Sequence, residues 1–461
     1  MIMLFRLFSS ILILTSLIAC KRDDPGDGEA RPVAGDSAGA AVEFVMQDER
    51  RLETALEENE RAAWVYSTFI TPDTERLAAV ANEKYATLRV GLATEAVEFG
   101  EIDGLGADTL RKLHILRSAI TIPAPTDPVR LMEQSDIGAR LSGMYTQGEY
   151  CFGNGNCLDL SLLNDIMADS RDPDTLLEAW RGWRTISSPM RDLYARQVEL
   201  ANAGAVELGF DDLGVMWRSA YDMDPMAFSD ELDLLWAEVK PLYTALHCHV
   251  RARLGEQYGR DLVRPDQPIP AHLLGNMWAQ DWSNIESLVR PHGETAAYDL
   301  DAILKSRGYD AITMVKTAEG FFNSLGFERL PGTFWQRSLF VEPRDRQVSC
   351  QASAWNVDEK EDLRIKMCIK TGAEDFKTIH HELGHNYYQR AYNGKSHLYR
   401  SGANDGFHEA VGDTIALSIT PEYLHRIGLL ESLPGPGDDV VVLMRRALES
   451  VAFLPYGLLV D

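Results

Sequence analysis

The segment 378–389, TIHHELGHNYYQ, constrains this chain more than any other, because His381, Glu382 and His385 form an H-E-x-x-H pattern. On a helix, residues i and i+4 lie on one face one turn apart, so both imidazoles can bind the same ion. Two imidazoles suit zinc, and a carboxylate directly after the first histidine can deprotonate a water bound there. A chance match on a surface helix is the alternative, since the chain has 11 histidines among 461 residues. The pattern predicts a zinc-binding helix of a peptidase, and its neighbours test that prediction.

The flanking residues predict where this helix begins and ends. Thr371 and Glu374 have the spacing of a capping box, in which each side chain bonds the backbone N–H of the other residue. Asn393-Gly394 is typical of a helix end. The two histidines therefore fall in the middle of the helix, on a rigid element that can hold ligand geometry.

A catalytic zinc needs three protein ligands and an open position, and we expect the third ligand from the segment 401–420. Glu409 and Asp413 are spaced i and i+4 within an otherwise apolar helical run, where carboxylates are costly to bury without compensation. Glu409 is predicted to bind the metal, and Asp413 to accept the free N–H of a ligand histidine. Two solvated carboxylates on a surface helix are the alternative. His380 and His408 point about 100° away from their ligand neighbours, so we interpret them as packing or polar-network residues.

One pair of strands is predicted, directly before the motif. The runs 347–355 and 363–370 flank a charged turn, and apolar and polar residues alternate in the second run. Folding this hairpin about Glu359–Lys360 brings Cys350 nearly opposite Cys368. A disulfide across the strands is then geometrically reasonable.

The rest of the chain has the three- and four-residue apolar spacing of helices. From Ala41 to about Gly104 this pattern is interrupted once, at Thr71-Pro72-Asp73. Further helices are predicted over residues 110–120, 160–169, 174–184, 191–208, 213–220, 229–254 and 300–325. No repeat or change in composition divides residues 41–461, so the sequence predicts a mainly α protein with one catalytic domain over that range.

Residues 1–20 have the pattern of an export signal that ends in a lipidation site. Arg6 precedes an apolar run that is too short for a good membrane span, and Leu17-Ile18-Ala19-Cys20 resembles a bacterial lipobox. We therefore expect a signal peptide over 1–19, a lipid on Cys20, and a flexible tether over 20–40 that is rich in Gly, Pro and Asp. The alternative is an ordinary signal peptide with a coincidental cysteine. No acidic retention signal follows the cysteine, so the prediction is an exported bacterial lipoprotein anchored in the outer membrane, facing the periplasm or the cell surface.

The net charge of −25 limits which binding partners the protein can have. Nucleic acid is excluded, because binding it requires a basic surface. Attraction to anionic membranes by charge alone is disfavoured for the same reason, so membrane contact is predicted only through the lipid on Cys20.

Export to an oxidising compartment makes disulfides plausible for the remaining cysteines. Cys151 and Cys157 bracket the turn FGNGN, which can bend back on itself. Cys248 is left over within a helical stretch, and we predict a buried free thiol there and not a nucleophile.

The segments HHELGH (380–385) and GANDGFHEAVGD (402–413) together resemble the angiotensin-converting enzyme family of zinc peptidyl-dipeptidases. The similarity extends through CQASAW, LRIKMC, PAHLLGNMWAQ and AFLPYGLLVD, covers the chain from about Ala41 to its end, and is closest to bacterial members. It implies a large, helical, gluzincin-type metallopeptidase body with a deep central cleft and zinc at its floor. It also implies release of dipeptides from the free C-terminus of oligopeptide substrates.

By this resemblance His381, His385 and Glu409 bind zinc and Glu382 is the general base. Glu382 takes a proton from the attacking water and delivers it to the leaving amine. The resemblance also implies two disulfides, Cys151–Cys157 and Cys350–Cys368.

Several further roles follow from the resemblance alone. Ala352 and Ala354 match a strand segment that hydrogen-bonds the substrate backbone, which agrees with the strand predicted there. Gln280 matches a residue that contacts the C-terminal carboxylate of the substrate; from the residues alone it is an ordinary polar helix residue. Arg184 and Tyr221 match positions near chloride sites, so chloride is a second expected cofactor.

Two departures from the family leave alternatives open. Gln351 stands where many animal members have a histidine that contacts substrate. After 452–461 the family continues into a segment that supplies oxyanion and carboxylate-binding residues, so we expect a catalytic domain incomplete at its C-terminus and of uncertain activity. The alternative function is a catalytically impaired, zinc-loaded, peptide-binding lipoprotein. A different H-E-x-x-H endopeptidase is a third interpretation, and the segment 402–413 argues against it.

Overall fold

The computed structural model describes residues 38–100, 102–153, 155–291, 298–435 and 440–460, and these residues are mainly helical. The first nine helices are α1 (Ala38–Thr68), α2 (Pro72–Glu98), α3 (Ala107–Ser118), α4 (Pro128–Thr146), α5 (Leu160–Asp169), α6 (Pro173–Ser187), α7 (Arg191–Glu207), α8 (Leu213–Ser219) and α9 (Pro225–Tyr258). The remaining helices are α10 (Glu286–Val289), α11 (Leu300–Ser306), α12 (Ala311–Ser324), α13 (Gly332–Arg337), α14 (Ala373–Tyr392), α15 (Asp405–Leu417), α16 (Pro421–Arg426), α17 (Val440–Arg446) and α18 (Leu454–Val460). The strands are β1 (Glu149–Cys151), β2 (Cys157–Asp159), β3 (Ser353–Asn356) and β4 (Leu363–Lys366). The predicted fold class, mainly α, is confirmed.

The chain divides into two compact units, each assembled from three separate stretches. The first unit takes its described residues from 38–131, 200–223 and 300–431, and the second from 132–199, 224–299 and 432–460. The sequence predicts one domain over 41–461, without this division. Two of the crossings lie inside α4 and α7, where nothing in the composition changes.

The break between α1 and α2 forms where the sequence predicts it. Thr71 N donates to Thr74 Oγ1 at 2.9 Å, and Thr74 N donates to Thr71 Oγ1 at 3.1 Å, so the two threonines form a reciprocal cap. Pro72 follows as the first helical residue, a position where its missing N–H costs nothing.

One helix prediction is wrong in detail, and one long helix has no counterpart among the predictions. The predicted helix 300–325 is two helices, because Gly308 adopts a φ of +69° and Asp310 then caps α12 by accepting from Thr313 N at 2.8 Å. Helix α4 was not predicted, and its sequence contains Gly138 and Gly143, which weaken the helical signal.

The hairpin of β3 and β4 has the predicted centre but shorter strands. Its register pairs Ser353 with Lys366 and Asn356 with Leu363, which places the turn about Glu359–Lys360. Cys350 and Cys368 form the predicted disulfide just beyond the paired residues. The second predicted disulfide, Cys151–Cys157, joins β1 and β2.

The predictions for the N-terminus and for Cys248 have different outcomes. The signal peptide over 1–19 and the lipidation site Cys20 lie outside the described residues. Helix α1 begins at Ala38, so the last three residues of the predicted tether are helical. Cys248 is a free thiol as predicted, but it is exposed and not buried. Among the described residues, none of the helices combines the length and apolarity needed to cross a membrane.

Helix α14, which carries the H-E-x-x-H pattern, is buried along most of its length. Phe376, Ile379 and Leu383 are fully buried, and Tyr387 stacks on Phe322 of α12 with ring centroids 4.1 Å apart. Burial on several faces immobilises the helix, so it can hold metal-binding side chains in fixed positions.

Candidate metal centre

Helix α14 begins one residue later than the predicted capping box requires. Gly372 is the cap residue and provides no side-chain bond, while Thr371 Oγ1 donates to Tyr309 O at 3.1 Å. The capping-box prediction is therefore wrong, because a tertiary partner takes the threonine hydroxyl. The helix ends at Tyr392, with Asn393 as its C-cap, where the sequence predicts.

Three side-chain atoms of the first unit converge on one point. The Nε2 atoms of His381 and His385 lie 3.0 Å apart, and Oε2 of Glu409 lies 3.4 Å from the first and 3.8 Å from the second. A point about 2.0 Å from all three atoms exists, which is the bond length of zinc to nitrogen and oxygen ligands. The residues present therefore fit a zinc ion with a three-residue ligand set.

One other group of potential ligands among the described residues, Glu342 with Cys350 and Cys368, does not compete. Its two sulfurs are joined in a disulfide and cannot act as thiolate ligands.

Two glycines allow α14 and α15 to approach closely enough to form this group. A Cβ at Gly384 would lie 3.0 Å from Gly412 Cα, and a Cβ at Gly412 would lie 2.8 Å from the His381 ring. A side chain at Gly384 would press on the backbone of α15, and one at Gly412 on the His381 ring, so either would disturb the geometry of the three ligand atoms. The glycines within HELGH and EAVGD are the sequence signal for this contact, and no prediction above used them.

The second ring nitrogen of each histidine has its own polar partner. Asp413 Oδ1 lies 3.1 Å from His381 Nδ1, the contact predicted for it, although its side chain is largely exposed. His408 Nδ1 lies 3.2 Å from His385 Nδ1, and Tyr392 OH lies 3.0 Å from His408 Nε2. These contacts orient both rings with Nε2 toward the converging point. His408 is thus a polar-network residue, as predicted, and one of its two partners is the candidate ligand His385.

The other histidine of the motif, His380, faces away from the centre. Its Nδ1 donates to Phe376 O at 2.7 Å, and its Nε2 lies 3.0 Å from Tyr423 OH. Complete burial lowers the pKa of His380 to about 4, so it stays neutral at physiological pH. It has the predicted packing and polar-network role.

The electrostatics of the centre favour a cation. Burial tends to lower the pKa of His381, but hydrogen bonds to Asp413 and Glu409 and the charge of Glu382 outweigh it and raise that pKa to about 9. A positive charge is thus stabilised where the three ligand atoms meet. Glu382 itself is 2% exposed, so it is a carboxylate held largely out of water beside the histidine it follows.

The predicted substrate residues Ala352 and Ala354 lie at the start of the hairpin. Ile365, the partner of Ala354, has its N–H bonded to Ser338 Oγ at 3.0 Å and its carbonyl to Leu339 N at 2.9 Å, both away from β3. The pair Ala354–Ile365 is therefore a non-hydrogen-bonded pair, and the N–H and carbonyl of Ala354 face the open edge of β3.

The predicted carboxylate-binding residue Gln280 belongs to the second unit. It is 4% exposed, and its Oε1 is buried without a hydrogen-bond partner among the described residues. The preceding Ala279 has a φ of +56°, an uncommon conformation for alanine. An unsatisfied buried amide oxygen next to such a backbone is a candidate contact for a hydrogen-bond donor of a ligand.

The residues predicted near chloride sites belong to different units. Arg184, in the second unit, stacks on Trp180 with 3.6 Å to the ring centroid and donates to the carbonyls of Trp180 and Met277 at 2.9 and 2.8 Å. Tyr221 lies in the first unit, near Gly406 at the start of α15. Neither arrangement supports a chloride site, so chloride stays a prediction.

Replacement of Asp413 tests its contact with Nδ1 of His381. Asp413→Asn removes the charge that pairs with His381 Nδ1, and we expect zinc affinity to fall by about 10- to 100-fold. Competition with a chromophoric chelator measures the dissociation constant. The matched control is Glu374→Gln, which removes one carboxylate from the exposed first turn of α14 and should leave the constant unchanged. Equal affinities of Asp413→Asn and wild type would contradict the assigned role.

Comparisons with known proteins agree with this centre. The family profile of peptidase M2, described as Angiotensin-converting enzyme, matches residues 36–461. The chain is 38% identical over 426 residues to Angiotensin-converting enzyme of Bos taurus and 37% identical over 439 residues to that of Rattus norvegicus. These alignments cover 91% and 93% of this chain but only 32% and 33% of those proteins. Angiotensin-converting enzyme of Theromyzon tessulatum is 36% identical over 408 residues, which are 87% of this chain and 66% of that protein.

Proposed function

The chain belongs to the angiotensin-converting enzyme family of peptidases, and we propose that it is a zinc-dependent peptidyl-dipeptidase that releases dipeptides from the free C-terminus of oligopeptides. The observation that carries the proposal is the convergence of His381, His385 and Glu409 at zinc-binding distances. Glu382, which follows His381 in the sequence, is buried beside them. Two imidazoles, deprotonated when they bind the metal, and one carboxylate are a ligand set of catalytic zinc in peptidases.

The mechanism assigns one role to each side chain of the centre. Zinc, when bound, polarises the scissile carbonyl and lowers the pKa of a water to about 7. Glu382 accepts the proton of the attacking water and passes it to the leaving amine. Because Glu382 is 2% exposed, bulk water does not screen its charge during this transfer. Asp413 and His408 keep the two histidine rings in the orientation that the ligands need.

The edge of β3 supports a peptide as the substrate. Ala354 directs its N–H and carbonyl away from β4, so an extended peptide can hydrogen-bond there as an added strand. Ala352 lies two residues earlier, directly before β3 begins, and is proposed to contact the same peptide. Gln280 is proposed to donate its amide N–H to the substrate carboxylate, the contact that the family resemblance implies for it.

Export and lipid attachment are also proposed, on the sequence alone. We propose that the chain is a bacterial lipoprotein anchored by a lipid on Cys20, because Leu17–Cys20 has the lipobox pattern after an apolar run. Radiolabelled palmitate incorporated into wild type and lost from Cys20→Ser supports this proposal, and equal labelling of both contradicts it.

A pair of substrates tests the proposed activity. The zinc-loaded chain is incubated with a blocked tripeptide that carries either a free or an amidated C-terminus, and released dipeptide is measured by mass spectrometry. We expect release from the free acid only, because a peptidyl-dipeptidase recognises the terminal carboxylate. Equal cleavage of both substrates indicates an endopeptidase, and zinc binding with no cleavage favours the peptide-binding alternative.

A further inference from the structure

Lys366 of β4 is a buried cation that the proposed mechanism leaves without a role. The residue is 3% exposed, in a position where lysine is rarely found without compensating partners. Burial lowers the pKa of its ammonium to about 8, and the charge of Glu382 opposes this shift. The groups that Lys366 contacts therefore indicate why a lysine occupies this site.

The ammonium of Lys366 binds backbone carbonyls of the segment before β3. Its Nζ donates to Ser349 O at 2.8 Å and to Gln351 O at 2.7 Å, and Ser349 Oγ lies 3.3 Å away. These partners match the three donors of an ammonium group. Carbonyls of residues two apart reach a single nitrogen because the chain bends at Gln351.

The held segment lies outside the ladder of the hairpin. Pairing between β3 and β4 begins at Ser353 and Lys366, so no ladder bond fixes residues 349–352. The disulfide Cys350–Cys368 joins the middle of this segment to the chain after β4, and Lys366 binds the carbonyls on either side of Cys350. A bond from Ser349 N to Ser67 O at 2.8 Å is the third attachment, and the three together replace the missing ladder.

The hydrogen bond to Gln351 O decides which way the next N–H faces. The peptide bond between Gln351 and Ala352 is trans, so the N–H of Ala352 points away from the Lys366 ammonium. Ala354 faces the open edge of β3, because its pair with Ile365 is a non-hydrogen-bonded one. Lys366 thus fixes the direction of the Ala352 N–H directly before β3, where Ala354 presents its own backbone groups to the open edge.

We propose that Lys366 is a positioning residue for peptide binding, because it holds the carbonyls of Ser349 and Gln351 and so aligns Ala352 and Ala354 for an extended peptide. The proposal rests on the proposed function, since it takes the edge of β3 as the peptide site. Lys366 touches neither peptide nor metal in this account and acts only through the backbone.

Lys366→Met tests the proposal, because methionine keeps an unbranched apolar stem and removes all three donors. The probe is a blocked tripeptide with a reduced, uncleavable scissile bond, and its dissociation constant is measured by calorimetry on the zinc-loaded chain. We expect the constant to rise about tenfold, with one zinc still bound per chain. Lys366→Arg, which can still donate to both carbonyls, should recover most of the affinity.

Lys370→Met is the matched control. Lys370 lies four residues further along the same run and is exposed, so its replacement should leave the dissociation constant unchanged. A set of singly N-methylated analogues adds a readout that a merely structural role would not change. The N-methyl group that weakens binding most in wild type should weaken it less in Lys366→Met, because the aligned edge is already lost.

The contradicting outcomes are distinct. Unchanged peptide affinity in zinc-loaded Lys366→Met overturns the proposal, and so does loss of zinc, which would assign Lys366 to the stability of the metal centre. A wild-type chain that does not bind the analogue also overturns it. A wild-type chain that binds the analogue but releases no dipeptide contradicts the proposed function and leaves the role of Lys366 intact.

Discussion

Glu382→Gln is expected to lower kcat/KM by about 10²- to 10⁴-fold while one zinc stays bound per chain. Glutamine fills the same buried space but cannot accept the proton of the attacking water. The zinc ligands of the proposal are other residues, so the metal should not be lost. Steady-state dipeptide release and metal content, measured on the same preparation, check both parts of the prediction.

The control for this variant is Glu374→Gln, the same change on an exposed turn of α14. It should retain wild-type turnover and zinc. Turnover by Glu382→Gln within a few-fold of wild type would show that another group is the general base. Loss of zinc from Glu382→Gln would show that the carboxylate supports the metal centre itself.

Replacement of a predicted zinc ligand, His381, His385 or Glu409, is expected to have the second large effect, a loss of zinc affinity. His385→Ala removes one of the three ligand atoms, which lie 3.0 to 3.8 Å from one another. Zinc affinity should then fall by about 10³-fold. Glu409→Ala should have a similar effect, because it removes the ligand contributed by the second helix. Peptide release at limiting zinc should disappear in both variants.

Chelator competition measures these affinities, and excess zinc added to the assay should restore part of the activity. The matched control is His425→Gln, which removes a histidine that is not among the predicted ligands and that bonds Leu430 O. A His385→Ala variant that binds zinc as tightly as wild type would exclude His385 as a ligand.

The parts of the site that the sequence predicts are those set by local geometry. The i and i+4 spacing places His381 with His385, and Glu409 with Asp413, whatever the rest of the chain does. The hairpin follows the same logic, because a turn centred on Glu359–Lys360 fixes the partner of every residue that it pairs.

The parts that the sequence leaves open depend on contacts between distant segments. Thr371 satisfies the local rule for a helix cap, yet a carbonyl from Tyr309 takes its hydroxyl. The approach of α14 to α15 depends on Gly384 and Gly412, whose importance appears only once the two helices are packed. Lys366 alternates with apolar residues as a solvent-facing strand residue would, but the segment before β3 covers it. Long-range packing overrides the local pattern in each case.

X-ray absorption at the zinc edge of the zinc-loaded chain tests the central claim most directly, because it reports the atoms bound to the metal. The account predicts a first shell of nitrogen and oxygen at about 2.0–2.1 Å with two imidazoles, and one imidazole fewer in His385→Ala. Sulfur in the first shell at about 2.3 Å would contradict it, since cysteines would then hold the metal. An imidazole count that stays at two in His385→Ala would contradict it as well.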